Sequence, residues 1–331
     1  MTSSPSVETI RLEVRRLAAA GSWPAVAAML APLATDALRD GELALLYAES
    51  QMRGGLEREA ISWLTAILDR LSDDGDRVSL RRARNMLGVA YIAVGKLEQA
   101  SVVLGEALEL ATEADDALML AQASNNLGAI ANQRGDHELA LWQYRIALPN
   151  LQRLGDKRRI AESYHNIAIT CRDLGELEEA DEHERRAIDY ATDAPAPRVA
   201  AMGRIGRAEI ALRRGDARLA ETTARLAADE LEGLGDLWNE ADAHRVVGVA
   251  AGAQGKVDEA LAAFDRALRI ATDRGHTLNE ADVLRDRATL QLKRGEQAAG
   301  TRDALRAIEL YSALGATTEV AVLERRLASL S

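Results

Sequence analysis

A glycine followed five residues later by a small residue recurs along this chain every 40 residues: Gly55/Ala60, Gly95/Ala100, Gly135/Ala140, Gly175/Ala180, Gly215/Ala220, Gly255/Ala260 and Gly295/Gly300. Composition alone does not produce such a series without one insertion or deletion. A constant period of this length marks a stacked repeat array. Seven residues before each glycine stands Ala48, Gly88, Gly128, Ala168, Ala208, Gly248 or Ala288, so nothing larger than a methyl group is found there. Twelve residues after it stands Ile67 and then Ala107, Ala147, Ala187, Ala227, Ala267 and Ala307. Small residues on both sides of a turn let two helices pack closely and antiparallel. Glycine suits the helix C-cap between them, because a left-handed backbone there carries no side-chain penalty. The spacing therefore predicts an all-α chain of helix–turn–helix units.

The predicted pairs are 41–53 with 56–71, 78–94 with 97–113, 118–134 with 137–153, 158–174 with 177–192, 198–214 with 217–232, 237–254 with 257–273, and 278–294 with 297–312. Ahead of them, residues 1–5 read as a disordered lead, and Val7, Ile10, Val14 and Leu17 follow helical spacing up to Gly21. Trp23-Pro24 opens a second helix to about Ala34, since proline is comfortable in a first turn. This first pair, 34 residues before Gly55, reads as an N-terminal cap. A second turn recurs as Leu154-Gly155-Asp156, Leu234-Gly235-Asp236 and Leu314-Gly315. Where it would fall once more stands Asp193-Ala194-Pro195-Ala196-Pro197, read as a corner between repeats and not as a domain boundary. Residues 317–331 read as a C-terminal capping helix, with Val320, Leu323, Leu327 and Leu330 on its apolar stripe and Glu324, Arg325 and Arg326 outward. The solenoid itself is placed at 6–316, with turn glycines at 21, 55, 95, 135, 175, 215, 255 and 295.

The repeat Leu87, Gly88, Tyr91, Gly95, Ala100, Leu104, Ala107 and its copy Val247, Gly248, Gly255, Ala260, Phe264, Ala267 resemble the tetratricopeptide repeat. The resemblance covers roughly residues 5–316 and departs from the commonest form in its period of 40 rather than 34. It looks like the longer repeats of kinesin light chains, Pins-type scaffolds and bacterial regulators. HEAT repeats share a period near 40 but lack this alanine and glycine register. The family implies a right-handed α-solenoid of about eight hairpins whose first helices line a concave groove that binds a protein or peptide partner.

Composition narrows the function classes. Hydrophobic residues make up 47%, with one Phe, six Tyr and four Trp, so the core is built of alanine and aliphatic side chains. A net charge of −11 argues against nucleic acid, which needs a positive face. There is no apolar window of membrane-spanning length and no signal-peptide pattern, so a cytoplasmic protein is expected. The single cysteine, Cys171, rules out internal disulfides and reads as a buried packing residue. Self-association is left open.

No P-loop, His-Glu-x-x-His, Cys-x-x-Cys or Gly-x-Ser-x-Gly pattern occurs, so no enzyme, cofactor or metal site is expected. Gly248-Val249-Ala250-Ala251-Gly252 falls on helix packing positions and follows no strand. The acidic run Glu176, Glu178, Glu179, Asp181, Glu182, His183, Glu184 could be a metal site but reads as a solvated helix face. Arg207 and Arg287 occupy a site held elsewhere by Tyr47, Leu87, Leu127, Ile167 and Val247. They read as long stems snorkelling past a thin core or pairing with Glu209 and Asp286, with a ligand-gripping role as the alternative.

The resemblance places the groove on the first helices, at Arg82, Asn85, Met86, Gln122, Asn125, Asn126, Asn132, Glu162, His165, Asn166 and Arg172, and further along at Met202, Ile205, Glu209, Asp242, Arg245, Asp282, Arg285 and Asp286. Asparagine carries both a donor and an acceptor, so stacked copies can pair with an extended peptide backbone whatever its side chains. Asn126 and Asn166 match the groove asparagine of the kinesin light chain and Pins-type repeats, which implies that role. Lysine is nearly absent from this face, which argues against a clamp for a chaperone's acidic tail. The reading is a non-enzymatic interaction scaffold; the alternative is a peptide-sensing regulatory or accessory subunit of a bacterial signalling system.

Overall fold

A computed structural model describes residues 6–33 and 40–328 of the chain, so the lead at 1–5, Ala34 and Leu330 lie outside the described residues. The described residues form 17 α-helices and no strand. These are α1 (Val7–Ala19), α2 (Trp23–Leu30), α3 (Gly41–Arg53), α4 (Glu57–Asp73), α5 (Arg77–Ala93), α6 (Leu97–Glu113), α7 (Ala117–Gln133) and α8 (His137–Leu154). There follow α9 (Lys157–Leu174), α10 (Leu177–Asp193), α11 (Pro197–Arg213), α12 (Ala217–Leu234), α13 (Leu237–Ala253), α14 (Val257–Arg274), α15 (Thr277–Lys293), α16 (Gln297–Leu314) and α17 (Thr317–Ala328). Consecutive helices pack as pairs, and the contacts divide the chain into two compact units, residues 1–154 and 155–331.

Helix α2 is shorter than its sequence suggests. It gives way at Ala31–Leu33 to a single 3₁₀ turn, where Pro32 has no N–H to continue the α ladder. The hairpin turns close on glycines with positive φ, from 69° at Gly21 to 87° at Gly175. The turns between hairpins form a second column, Gly75, Gly155, Gly235, Gly275 and Gly315, in which Asp115 holds the same left-handed region at φ 48°. Many helices open on an aspartate whose carboxylate accepts a backbone N–H of the first turn, as Asp76 does from Ser79 and Asp156 from Arg159.

The small column is small because bulky side chains of the second helices press on it. A methyl group at Gly88 would stand 2.4 Å from Leu104, one at Gly128 2.6 Å from Tyr144, and one at Gly248 2.7 Å from Phe264. Gly248 through Gly252 are helical, within α13, so this glycine-rich stretch is a packing surface. In the first unit, α1, α2 and α3 enclose Ile10, Val14, Val26, Leu30 and Leu43. In the second, the alanine-rich core of α11, α12 and α13 gathers Ala208, Ala224, Ala227, Leu231 and Val247. Helix α17 lays Leu323, with Val320 and Leu327, against α15 and α16. Arg326 departs from the outward placement expected of it and donates to Thr289 Oγ1, because its guanidinium reaches back over α15.

Candidate functional site

The odd-numbered helices of the second unit share one face, and that face carries a cleft of about 870 Å³. Its lining comes from α9, α11, α13 and α15, with Glu319 of α17 at one end. No second helix of a hairpin contributes. This follows from the repeat, since the small residues that join the two helices of a pair turn the opposite side of each first helix outward.

A continuous ion-pair network runs across the cleft. Arg245 is its centre, donating from Nε to Asp242 at 2.7 Å, from Nη1 to Asp286 at 2.9 Å and from Nη2 to Glu209 at 2.6 Å. Glu209 also accepts from Arg172, which in turn donates to Asp173 at 3.1 Å. On the other side Arg285 donates to Asp286 at 2.8 Å and to Asp282 at 2.9 Å, and the Tyr311 hydroxyl donates to Asp282. Burial opposes the charges of Arg172, Glu209, Asp242, Arg245, Arg285 and Asp286. Arg172 and Arg245 nevertheless draw Glu209 below the usual carboxylate range, and Arg245 and Arg285 do the same for Asp286. For Asp242 burial wins, aided by Glu209 and Asp282, and its carboxyl is pushed up. Burial likewise raises the Tyr311 phenol.

Beside this network lies a buried pair. His165 Nδ1 meets Glu184 Oε1 at 2.9 Å and Oε2 at 3.0 Å, and Glu184 is only 1% exposed. Burial disfavours charge on His165, but the Glu184 carboxylate outweighs it and holds the imidazole above its ordinary pKa. Burial raises Glu184 in turn, and His165 and Arg172 only partly offset it. Glu184 stands in the column of Leu64, Leu104, Tyr144 and Phe264, where all the other repeats bury an apolar side chain, Ala224 and Ala304 included. The acidic run 176–184 is thus not a uniformly solvated face: Asp181 and Glu184 are buried, each because a partner on a neighbouring helix holds its charge. Reading the 40-residue columns for a charge in place of Leu or Phe would have found Glu184 in the sequence.

The two unusual arginines find partners other than those expected. Arg207 donates to Asp181 at 2.8 Å, and Arg287 to Asp303 at 2.7 Å and Asp265 at 2.7 Å. These carboxylates lie on the second helices, the side to which a residue of this core column points, whereas Glu209 and Asp286 belong to the cleft. Arg207 and Arg287 are therefore tied to structural carboxylates.

The expected groove residues fall into different settings. In the second unit His165, Arg172, Arg245 and Arg285 all line the cleft, and Asn166 is half-buried on α9. In the first unit Asn85 is buried and accepts from Asn126 Nδ2 at 3.4 Å, joining α5 to α7. Asn132 pairs with His137 Nδ1 at 2.8 Å, across its hairpin turn. Gln122 and Asn125 are half-buried on α7, and Arg82 is exposed on α5. The sequence reading also placed Glu209, Asp242, Asp282 and Asp286 on this face, and all four line the cleft, but it missed the apolar rim of Trp238, 44% exposed, and Leu278, 43% exposed. The one candidate metal-binding group among the described residues joins buried Cys171 to exposed Glu176 and Glu179, with donor atoms within 4.8 Å of one another. It leaves out His183. No helix among the described residues is long and apolar enough to cross a membrane.

Stacked hairpins of this kind define a helical-repeat solenoid. Residues 119–193 match one tetratricopeptide repeat model and residues 82–113 another. The chain carries tetratricopeptide repeats over those residues, and its fold as a whole is of the tetratricopeptide-repeat kind. Solved structures agree on the fold. A Signal Transduction ATPase with Numerous Domains with a tetratricopeptide repeat sensor, from Pyrococcus horikoshii, is 16% identical, with a TM-score of 0.68 over 96% of this chain and 50% of its own. The chain thus spans half the length of that protein. A Rap protein complexed with competence and sporulation factor is 17% identical, with a TM-score of 0.62 over 98% of this chain and 97% of its own. The Rap conjugation gene regulator of plasmid pLS20, in complex with the Phr* peptide, is 18% identical, with a TM-score of 0.66 over 85% and 76%. No curated protein matches the sequence.

Proposed function

We propose that the protein is a non-enzymatic binding solenoid that takes a peptide, or a peptide-like segment of a protein partner, in the cleft of its second unit. The observation that carries this is the cleft itself: first helices of consecutive hairpins converge on about 870 Å³ of polar space with Trp238 and Leu278 exposed at its edge. Exposed aromatic and aliphatic side chains beside fixed charges are the usual anchors of a recognition surface. Arg172, Arg245 and Arg285 are fixed in position by their ion pairs, and Asn126 and Asn166 supply amide groups within their own units. A lone buried thiol fits a reducing, cytoplasmic setting.

A regulatory form of the same reading has its own support. Two of the similar structures are described as complexes with a peptide or signalling factor, and a third carries its repeats as a sensor. In that form the ligand is a short signalling peptide and the protein a sensor or accessory subunit.

The test is affinity capture from the source cell's lysate with three baits: the parent, Trp238→Ala/Leu278→Ala and Asn126→Ala/Asn166→Ala. A partner kept by the parent and lost by the Trp238/Leu278 variant supports the cleft. Loss only with the asparagine variant moves binding to the amide positions, and equal retention by all three rejects the groove. A parent that captures no protein yet shifts its melting temperature with a peptide fraction favours the sensor.

A further inference from the structure

The second-unit cleft is short of cations. It is lined by four guanidiniums, Arg172, Arg213, Arg245 and Arg285, against six carboxylates, Asp173, Glu209, Asp242, Asp282, Asp286 and Glu319. Each cation is already engaged by the cleft's own acceptors. Arg245 is shared by three carboxylates, Arg172 and Arg285 each by two, and Arg213 donates to the Arg172 carbonyl at 3.0 Å and to Asp173 at 3.2 Å. The carboxylates keep capacity in reserve. Among the described residues every hydrogen bond to Asp242 and to Asp282 falls on Oδ1, which leaves Oδ2 of each as an unused acceptor on a cleft-lining side chain. The side chains are 35% and 27% exposed and lie close enough for their charges to repel. A partly buried carboxylate pair with spare acceptors in a cleft favours an incoming donor of positive charge and opposes an anion.

We infer that the cleft takes a basic peptide segment, with one arginine or lysine side chain seated on Asp242 and Asp282 and a neighbouring apolar side chain on Trp238 and Leu278. Charge complementarity selects this occupant. A guanidinium or ammonium supplies hydrogen bonds to both Oδ2 atoms and relieves their repulsion, while an acidic segment would meet carboxylate oxygens with spare lone pairs and arginines already held by carboxylates. The inference rests on the peptide-binding reading and adds to it the charge of the ligand.

The experiment is selection of a random heptapeptide phage library on the full-length chain, with sequencing of the bound population. A fluorescein-labelled copy of the most enriched heptapeptide is then titrated against the parent, Asp242→Asn and Asp282→Asn. The expected result is enrichment of Arg or Lys beside an apolar residue, and a fall in affinity of at least about tenfold in either variant, as for loss of a charge-assisted contact. Asparagine keeps Oδ1 as an acceptor, and a thermal melt confirms that each variant is folded. Enriched peptides that are acidic or uncharged overturn the inference and leave peptide binding standing. So does basic enrichment with undiminished affinity in both variants. A library that yields no specific binder overturns the inference and the peptide-binding reading together.

Discussion

Gly206 leaves open the space that the Glu184 carboxylate fills: a methyl group at 206 would stand 2.0 Å from Glu184 Oε1 and 2.7 Å from its Cδ. Position 206 is the column of Asn126 and Asn166, so the amide is given up where a buried carboxylate needs room. Gly206→Ala gains about 1 kcal/mol of helix propensity yet displaces a charged group from its only tight seat, at a cost of about 1–3 kcal/mol. The expected net result is a lower urea midpoint than the parent's. A higher midpoint would show that Glu184 can move without loss.

The His165 ring reports on the same seat. It faces Glu184, with Arg172 opposing and Glu209 supporting its charge. In Glu184→Gln burial acts on the imidazole without the carboxylate, so its titration, followed by NMR, moves from above the ordinary 6.5 to below it. An unchanged titration would separate the two residues.

Stability follows with a definite sign. In the parent the folded-state pKa of His165 is raised, so its contribution is complete below 6.5 and is lost as pH rises through the raised value. Glu184, also raised, adds a loss with rising pH from 4.5 up to its own raised value. In Glu184→Gln the His165 effect reverses and stability rises with pH up to about 6.5. The difference in unfolding free energy between the two proteins therefore narrows as pH rises from 6 to 8, measured by urea denaturation. A difference that widens contradicts the pairing.

Glu221 gives the opposite sign. Lys256 Nζ at 2.8 Å, Arg225 at 2.8 Å and Gln254 at 2.6 Å converge on it, and they hold its carboxyl at about 2. Its contribution is present above 4.5 and is lost as pH falls through about 2. Glu221→Gln is expected to lower stability by about 1–2 kcal/mol at pH 7, with parent and variant converging in acid.

The repeat register has its own test. Ala147 is fully buried where α8 meets its partner, and Ala147→Trp overpacks that interface by about 1–3 kcal/mol or more. A parent-like melting temperature would place the residue outside the interface.

The sequence by itself determined the helical hairpins, their 40-residue period and the small columns at Gly88, Gly128 and Gly248. It could do so because each hairpin repeats the same local packing, and one side chain's size at a fixed register states the requirement. It also marked His165, Arg172, Arg245 and Arg285, since a shared column puts residues on a shared face. The tertiary structure alone decided who pairs with whom. Arg207 and Arg287 turned to Asp181, Asp303 and Asp265 rather than to Glu209 and Asp286, and Glu184 entered a core column because Gly206 on another helix made room. A long charged side chain can reach several neighbours of similar sequence spacing. Only the distance and direction between helices, with the cost of leaving a buried charge unpaired, select among them.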